Sequence, residues 1–251
     1  MLKYLDAYTL RARLAPAVIA SAPAFSFVAL AISWAGLSLS NAIATIGLTI
    51  LLFALSDLAR SRGKQIEPDL FTSLGGKPTI TMLRHRDNTF DAPSKDRYLR
   101  FLASKLGEAA PTEVDEQRDP AATDRFYDRC GTWLRENTRN TKKFSILFNE
   151  NVTYGYRRNL YALKWAALIL NLAVVVLCIA IVWNVVPAGL WGIIGGSRPN
   201  AVFLVAGVHA LYIGFAVNRR SLEEAARSYA RQLILSCEVF FGKAEAKLNK
   251  P

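Results

Sequence analysis

Four basic residues close together in the middle of the chain are the ones best suited to chemistry. Two of them are arginines, and a guanidinium group forms paired hydrogen bonds with phosphate oxygens. The spacing therefore predicts a binding site for a nucleotide-like anion. The alternative interpretation is a solvated face, or ion pairs with the nearby Asp87 and Asp91. The cluster consists of Lys77, Arg84, His85 and Arg86.

The same sequence offers little for catalysis. The two histidines, His85 and His209, lie far apart, and no GxSxG, HExxH, CxxC or phosphate-loop pattern occurs. The cysteines at positions 130, 178 and 237 are widely spaced, which predicts reduced thiols rather than a disulfide or a metal cluster. We therefore expect no enzyme activity, no cofactor and no metal site.

Long uncharged stretches indicate where these residues work. Residues 14–56, 165–197 and 200–218 contain no Asp, Glu, Lys or Arg. A helix needs about 20 mostly apolar residues to cross a bilayer, because the hydrocarbon layer is about 30 Å thick. The first stretch is long enough for two such helices, and the other two stretches supply another pair. The sequence thus predicts four transmembrane helices.

The predicted fold class is an all-α membrane protein, with the four helices arranged as two hairpins. A mostly helical cytoplasmic domain, with room for a short strand pair, is inserted between them. The outer connections are expected at 38–41 and 184–200. The predicted segments are an amphipathic N-terminal segment (1–13), a first hairpin (14–59), the cytoplasmic domain (60–162), a second hairpin (163–218) and a cytoplasmic C-terminal helix (219–251).

The charge distribution predicts the orientation of these helices. The chain carries 31 Lys and Arg against 20 Asp and Glu, which gives a net charge of +11. Apart from Arg198, and from Lys164 at the start of the second hairpin, the basic residues fall before the first hairpin, between the hairpins or after the second one. Basic residues near span ends mark the cytoplasmic side. Both termini and the inserted domain are therefore expected in the cytoplasm, and no nucleic acid polymer is needed to explain the charge.

Basic residues at the cytoplasmic ends of the spans are expected to form a collar at the level of the lipid headgroups. Each basic residue near an anionic membrane surface contributes about 1 kcal/mol of attraction. The alternative is a vestibule that attracts anions. The collar comprises Arg60, Arg62, Lys64, Arg157, Arg158, Arg219 and Arg220.

Periodicity predicts the elements of the inserted domain. Apolar residues at helical spacing predict helices over 94–107 and 122–137, and a long helix from about residue 142 into the third span. Weak alternation over Thr79–Arg84 predicts a short strand. The acidic segment 108–119, which has no aromatic residue, is predicted to be a mobile loop.

One ionisable residue, His209, lies within a predicted span. Such residues usually face a bundle interior or a wet cavity, so His209 is a candidate pore residue. The alternative is a neutral histidine hydrogen-bonded to a neighbouring helix, with Asn171 as the partner. Small residues at four-residue spacing predict close packing, within the hairpin or between protomers of a homo-oligomer. These residues are Ala206, Ala210 and Gly214.

Two segments and the layout of the chain carry a family resemblance. The segments are IEPDLFTSLGGKPTITMLRHRD (Ile66–Asp87) and LFNENVTYGYRRNL (Leu147–Leu160). Together with the order of two spans, a domain and two more spans, the chain resembles the four-transmembrane pore-forming effectors of bacterial antiviral systems, which accompany nucleotide-signalling operons. The resemblance is mainly architectural and transfers no functional residue. It implies a bacterial inner-membrane effector that a cytoplasmic sensor protein or a nucleotide second messenger triggers to depolarise the membrane.

The residues themselves are compatible with two classes of function. Few intramembrane charges suit an effector that stays closed until it is triggered. They equally suit a membrane scaffold or accessory subunit that anchors a cytoplasmic partner. A transporter is disfavoured, because the spans contain no paired acids for ion coupling. Triggered expression of an effector should be toxic, whereas a scaffold should be harmless.

Overall fold

The structure is a computed structural model that describes residues 7–31, 39–183, 185 and 198–241. Most of these residues are helical and none of them lies in a strand, which confirms the all-α class. Two π-helical segments, Thr9–Leu14 and Tyr212–Ala216, adjoin the first and ninth helices below. The helices are α1 (Ala15–Ala31), α2 (Leu39–Gln65), α3 (Glu67–Ser73), α4 (Pro78–Leu83), α5 (Ala92–Leu106), α6 (Glu113–Arg118), α7 (Pro120–Asn137), α8 (Ser145–Val182), α9 (Arg198–Leu211) and α10 (Arg219–Leu235).

The predicted strand at Thr79–Arg84 is wrong, because these residues lie almost entirely in α4. Pro78 begins this helix, at a position where the missing N–H would have no helical partner. The buried residues Thr79, Met82 and Leu83 follow the spacing of a helix face. An alternation over six residues is too short to distinguish the two periods.

The predicted loop at 108–119 is also wrong in its second half, which forms α6. Thr112 caps this helix, since its hydroxyl accepts a hydrogen bond from the Asp115 N–H at 3.2 Å. The Asp115 carboxylate in turn accepts from the Thr112 N–H at 3.0 Å. This reciprocal capping box satisfies two amides that a free helix end leaves without partners.

Helix α5 begins with a carboxylate cap. The Asp91 side chain accepts a hydrogen bond from the Ser94 N–H at 2.9 Å, and this bond lowers the pKa of Asp91 below its ordinary value of 3.8. Because the pKa is lower in the folded state, the cap stabilises the fold at pH values above about 4. That contribution is lost as the pH falls through the folded-state pKa.

We expect the substitution Asp91→Asn to remove this acid dependence while keeping the cap, because asparagine is an equally good N-cap residue. Thermal unfolding measured between pH 2 and pH 6 should show a shallower loss of stability for the variant. Asp96→Asn is the control, since Asp96 is an exposed carboxylate in the same helix that caps no helix end. Parallel acid curves for Asp91→Asn and the original chain would contradict the prediction.

The chain divides into two compact units. Unit 1 contains Met1–Ile66 and Gly155–Leu222, and unit 2 contains Glu67–Tyr154 and Glu223–Pro251. The sequence predicts a separate C-terminal helix over residues 219–251. In the structure most of α10 belongs to unit 2, together with most of the predicted inserted domain.

Unit 2 has its own apolar core. Leu102, Tyr127 and Leu134 are fully buried there, and α10 contributes Leu233 and Ile234. Aromatic rings extend this core toward the end of the described chain, where Phe101 packs edge-on against Trp133 and Phe241, with centroid distances of 5.7 and 5.0 Å. The C-terminal helix is thus part of the hydrophobic core of this unit and stabilises it.

Unit 1 contains the candidate membrane spans, except for residues 145–154 of the second one, which belong to unit 2. Among the described residues, three helices are long and apolar enough to cross a membrane, namely Thr9–Ala29, Ser145–Val182 and Pro199–Ala216. The remaining predicted span is the second one along the chain. It corresponds to α2, which is not among these three. Helix α1 and the π-helical segment before it run on from residue 7, so the predicted amphipathic segment is continuous with the first span where it is described. Residues 1–6 and most of the predicted outer connection at 184–200 lie outside the described residues. The other predicted connection, at 38–41, is wrong where it is described, because residues 39–41 are the first turn of α2.

Candidate functional site

The basic cluster predicted from the sequence lies in unit 2, at α4 and the turn that follows it. Its cations are paired with acids of α6 and α7. The Lys77 ammonium lies 2.9 Å from Asp128 Oδ1. Arg84 binds both carboxylate oxygens of Asp124, at 2.9 and 2.7 Å. The partners suggested by the sequence, Asp87 and Asp91, do not make these ion pairs.

Arg84 has two hydrogen-bond partners and lies close to Gly76. Besides Asp124, it donates to the Gly75 carbonyl at 3.0 Å, and the Asp124 hydrogen bond raises the pKa of Arg84. Gly76 has a positive φ of 133°, and a Cβ there would lie 3.2 Å from an Arg84 guanidinium nitrogen. The glycine pair thus allows the guanidinium to lie against the turn, which is a structural role rather than a phosphate cradle.

Glu116, in α6, connects the rest of the cluster. Its Oε2 accepts hydrogen bonds from the His85 N–H at 2.8 Å and from the buried Tyr127 hydroxyl at 3.0 Å. Its Oε1 lies 4.0 Å from the largely exposed Arg86 side chain. Burial, with the Glu116 charge beside it, raises the pKa of Tyr127. The ring of His85 contacts the Pro111 carbonyl at 2.9 Å, so both ends of this histidine anchor the segment around α6.

A cavity of about 330 Å³ opens beside Arg84 and Arg86, but acids line it as well. They are Glu113, Glu116 and Asp124. A phosphate entering this cavity would meet three carboxylates, which repel it and compete for the same guanidinium groups. The sequence shows the cations but not their pairing with acids, because the acidic partners lie 30 to 51 positions further along the chain.

The turn between α4 and α5 depends on a buried lysine that sequence reasoning missed. Lys95 is 3% exposed, and its ammonium donates to the carbonyls of Arg84, at 2.7 Å, and of Asp87. Burial lowers the pKa of Lys95. Backbone carbonyls rather than a carboxylate thus satisfy this charge, and they fix the turn that carries His85 and Arg86.

In unit 1 the long helix α8 presents a narrow apolar stripe to its surroundings. The stripe begins at Trp165 and ends at Trp183, which are 73% and 74% exposed. With a rise of about 1.5 Å per residue, the two tryptophans lie about 27 Å apart along the helix. Tryptophans are enriched at the two faces of a bilayer, so this stripe has the anatomy of a lipid-facing surface. Its members are Trp165, Ile169, Leu172, Val176, Ile179 and Trp183.

The predicted intramembrane residues come together between α1, α8 and α9. Asn171 donates through Nδ2 to the Ala206 carbonyl at 2.9 Å and not to His209. His209 is 6% exposed, and both its ring nitrogens lack a hydrogen-bond partner among the described residues, as does Asn171 Oδ1. A polar contact with the Ile19 backbone falls short of hydrogen-bond geometry. Burying such atoms unpaired is costly, which makes this pair the least satisfied polar site of the bundle.

The small-residue face of α9 is only partly used for packing. Ala206 is buried, Ala210 is half-buried, and Gly214 is exposed. A Cβ at Gly214 would meet no atom within 4 Å. The Gly214 carbonyl nevertheless accepts a hydrogen bond from Lys164 of α8, at 3.0 Å.

Polar side chains of α8 meet both π-helical segments. Lys164 donates to the carbonyls of Gly214, in the second segment, and Val217, immediately after it, at 3.0 and 2.8 Å. Asn159 is fully buried and donates to the Ala12 carbonyl in the first segment at 2.6 Å. A π-helical turn shifts the backbone hydrogen bonds by one residue and often marks a functional position. Asn159 was not a candidate from the sequence.

The predicted headgroup collar lies on unit 1. All its members except the half-buried Arg158 are exposed. Arg158 contacts Asn159 Oδ1 at 3.3 Å. The exposed members are Arg60, Arg62, Lys64, Arg157, Arg219 and Arg220.

Metal chemistry finds no support in the described ranges, where no group of three or more His, Cys, Asp or Glu could hold an ion. Burial raises the pKa of both Cys130 and Cys237 to about 12, so these thiols are inert rather than nucleophilic. The polar sites of the chain are therefore a charge-paired face in unit 2 and an unsatisfied pair in unit 1. Comparison with protein-family models, curated proteins and solved structures finds no significant match to this chain.

Proposed function

We propose that this chain is an effector that depolarises the bacterial inner membrane when its cytoplasmic domain receives an upstream signal. In this proposal α2 also crosses the membrane, which brings the number of spans to four, and both termini are cytoplasmic. The exposed apolar face of α2 supports a span, since Ile43, Ile46, Ile50 and Phe53 are each at least 60% exposed. The division of the chain into one apolar unit and one separately cored unit suits an effector with a receiver domain.

The observation that carries the proposal is the unsatisfied pair of His209 and Asn171. A bundle that only anchored a partner would gain stability from apolar residues at both positions. Polar atoms left without partners in one arrangement of helices favour another arrangement, in which they meet water or each other. The pair thus suits a bundle with a closed and a water-admitting state.

We expect His209→Leu to abolish depolarisation, because leucine removes the unsatisfied nitrogens and stabilises the closed packing. The measurement is membrane potential with a voltage-sensitive dye in cells during induced expression. Leu204→Ala is the matched control, as Leu204 lies on the same helix and is 69% exposed. The original chain and Leu204→Ala should depolarise cells as protein accumulates, with His209→Leu silent at equal expression. Depolarisation by His209→Leu would exclude the histidine as the gate.

The second candidate is a membrane scaffold or accessory subunit. The charge pairing of Arg84 and Arg86 favours it, because carboxylates already line the cavity beside these two cations and oppose an anionic signal there. An intact membrane potential at high expression of the original chain, together with co-purification of a cytoplasmic protein, would support the scaffold over the effector.

A further inference from the structure

A second cavity in unit 2, about 290 Å³ in volume, shares no lining residue with the acidic one. We infer that it binds a small ligand with a planar apolar body and an anionic head, such as an aromatic phosphate or carboxylate. As the receiving site of the effector, it rests on the proposed function; as a binding site, it stands on its own geometry. It is lined by Glu67, Phe71, Lys77, Pro78, Thr79, Arg135, Tyr154, Ala226, Tyr229 and Ala230.

One wall of the cavity is aromatic, and it is formed by a stacked pair of tyrosines. The rings of Tyr154 and Tyr229 are parallel to within 3°, with centroids 5.9 Å apart. The Tyr154 hydroxyl donates to Glu67 Oε1 at 2.9 Å, which fixes its ring. Ala226 and Ala230 of α10 also line the cavity, and their small side chains leave space for a planar group beside the tyrosines.

Two cationic side chains, Arg135 and Lys77, lie at the rim of the cavity. Among the described residues Arg135 makes one hydrogen bond, to Thr132 in its own helix at 2.8 Å. Most of its guanidinium N–H donors therefore have no partner among these residues and can bind an anion. Lys77 lies on the same rim, and its ion pair with Asp128 is between side chains that are 47% and 41% exposed. An exposed pair of this kind is weak, so an incoming anion can share the ammonium.

These groups select a class of ligand. A guanidinium takes a carboxylate or phosphate in a paired geometry, and the ammonium adds a point charge. The apolar side chains that line the cavity exclude a bare inorganic anion as the best occupant, because such an ion would leave their surface unfilled. The tyrosine pair alone would accept many apolar rings. The tyrosines and the cations together select a molecule that has both a ring and an anionic group.

Isothermal titration calorimetry of the full chain in detergent tests the inference with phenyl phosphate, which has both parts. Benzyl alcohol supplies the ring alone and inorganic phosphate supplies the charge alone. Phenyl phosphate is expected to bind saturably, and at least tenfold more tightly than either of the others. Arg135→Ala should weaken binding at least tenfold with an unchanged unfolding temperature, and Tyr229→Leu should also weaken it.

Arg129→Ala is the matched control, because Arg129 lies on the same helix, pairs with Glu108 and lies outside the cavity. Its affinity should stay within twofold of the original chain. No saturable binding of phenyl phosphate, or equal weakening by Arg129→Ala, would overturn the inference. Binding without any depolarisation in cells would keep this site and remove the effector proposal, whereas depolarisation without binding would do the reverse.

Discussion

Replacing Glu116 by alanine is expected to lower the free energy of unfolding of unit 2 by about 3 kcal/mol. The carboxylate accepts two hydrogen bonds, and one of the donors is the buried hydroxyl of Tyr127. Alanine would leave that hydroxyl and the His85 N–H without their acceptor and would detach α6 from its neighbours. Denaturant unfolding of the full chain, followed by fluorescence and by hydrogen exchange of the α4–α7 amides, measures the loss.

Two variants calibrate this result. Glu116→Gln keeps an oxygen for both donors and loses only the charge, so its cost should be about 1 kcal/mol. Glu113→Ala removes an exposed carboxylate from the same helix and should cost less than about 0.5 kcal/mol. A loss for Glu116→Ala no larger than that for Glu113→Ala would show that α6 is held by other contacts.

Substituting Gly63 by valine is expected to destabilise unit 1 by about 3 kcal/mol. A Cβ at this position of α2 would lie 2.5 Å from Asn159 Oδ1, closer than two such atoms can approach. Asn159 cannot simply turn away, because it is fully buried and its Nδ2 donates to the Ala12 carbonyl. Valine must therefore break that hydrogen bond or separate α2 from α8.

Gly47→Val gives a control within the same helix, since a Cβ at Gly47 would meet no atom within 4 Å. It should be neutral or slightly stabilising when thermal unfolding is measured in detergent micelles. In the double variant Gly63→Val/Asn159→Ala the clash is relieved, so the two losses should fall short of additivity. Equal unfolding temperatures for Gly47→Val and Gly63→Val would contradict the close approach of these helices.

Local signals in the sequence predicted the helices well. The apolar spacing that predicts helices over 94–107 and 122–137 matches α5 and α7, and α8 runs from the domain into a candidate span as predicted. The error at α6 was avoidable, because Thr112 followed three residues later by Asp115 is a recognisable helix start. The strand error was harder to avoid, since six residues fit either period.

The candidate sites depend on pairs that are distant in sequence, and a single sequence does not contain that information. Composition identifies Arg84 as a cation, yet nothing local indicates that Asp124 neutralises it. Similarly, hydropathy identifies His209 as an unusual residue in a span, but only the packed helices show that Asn171 bonds elsewhere. Tyr154 and Tyr229, which form the wall of the second cavity, lie in helices far apart along the chain.

The tryptophan spacing on α8 also has a consequence for the bilayer that would suit this chain. A stripe about 27 Å long matches a thin membrane better than a sterol-rich one of about 32 Å. A helix that is too short cannot correct the mismatch by tilting, because tilt shortens its reach across the bilayer further. In a bilayer thicker than the stripe, the surrounding lipids would therefore have to compress toward Trp165 and Trp183.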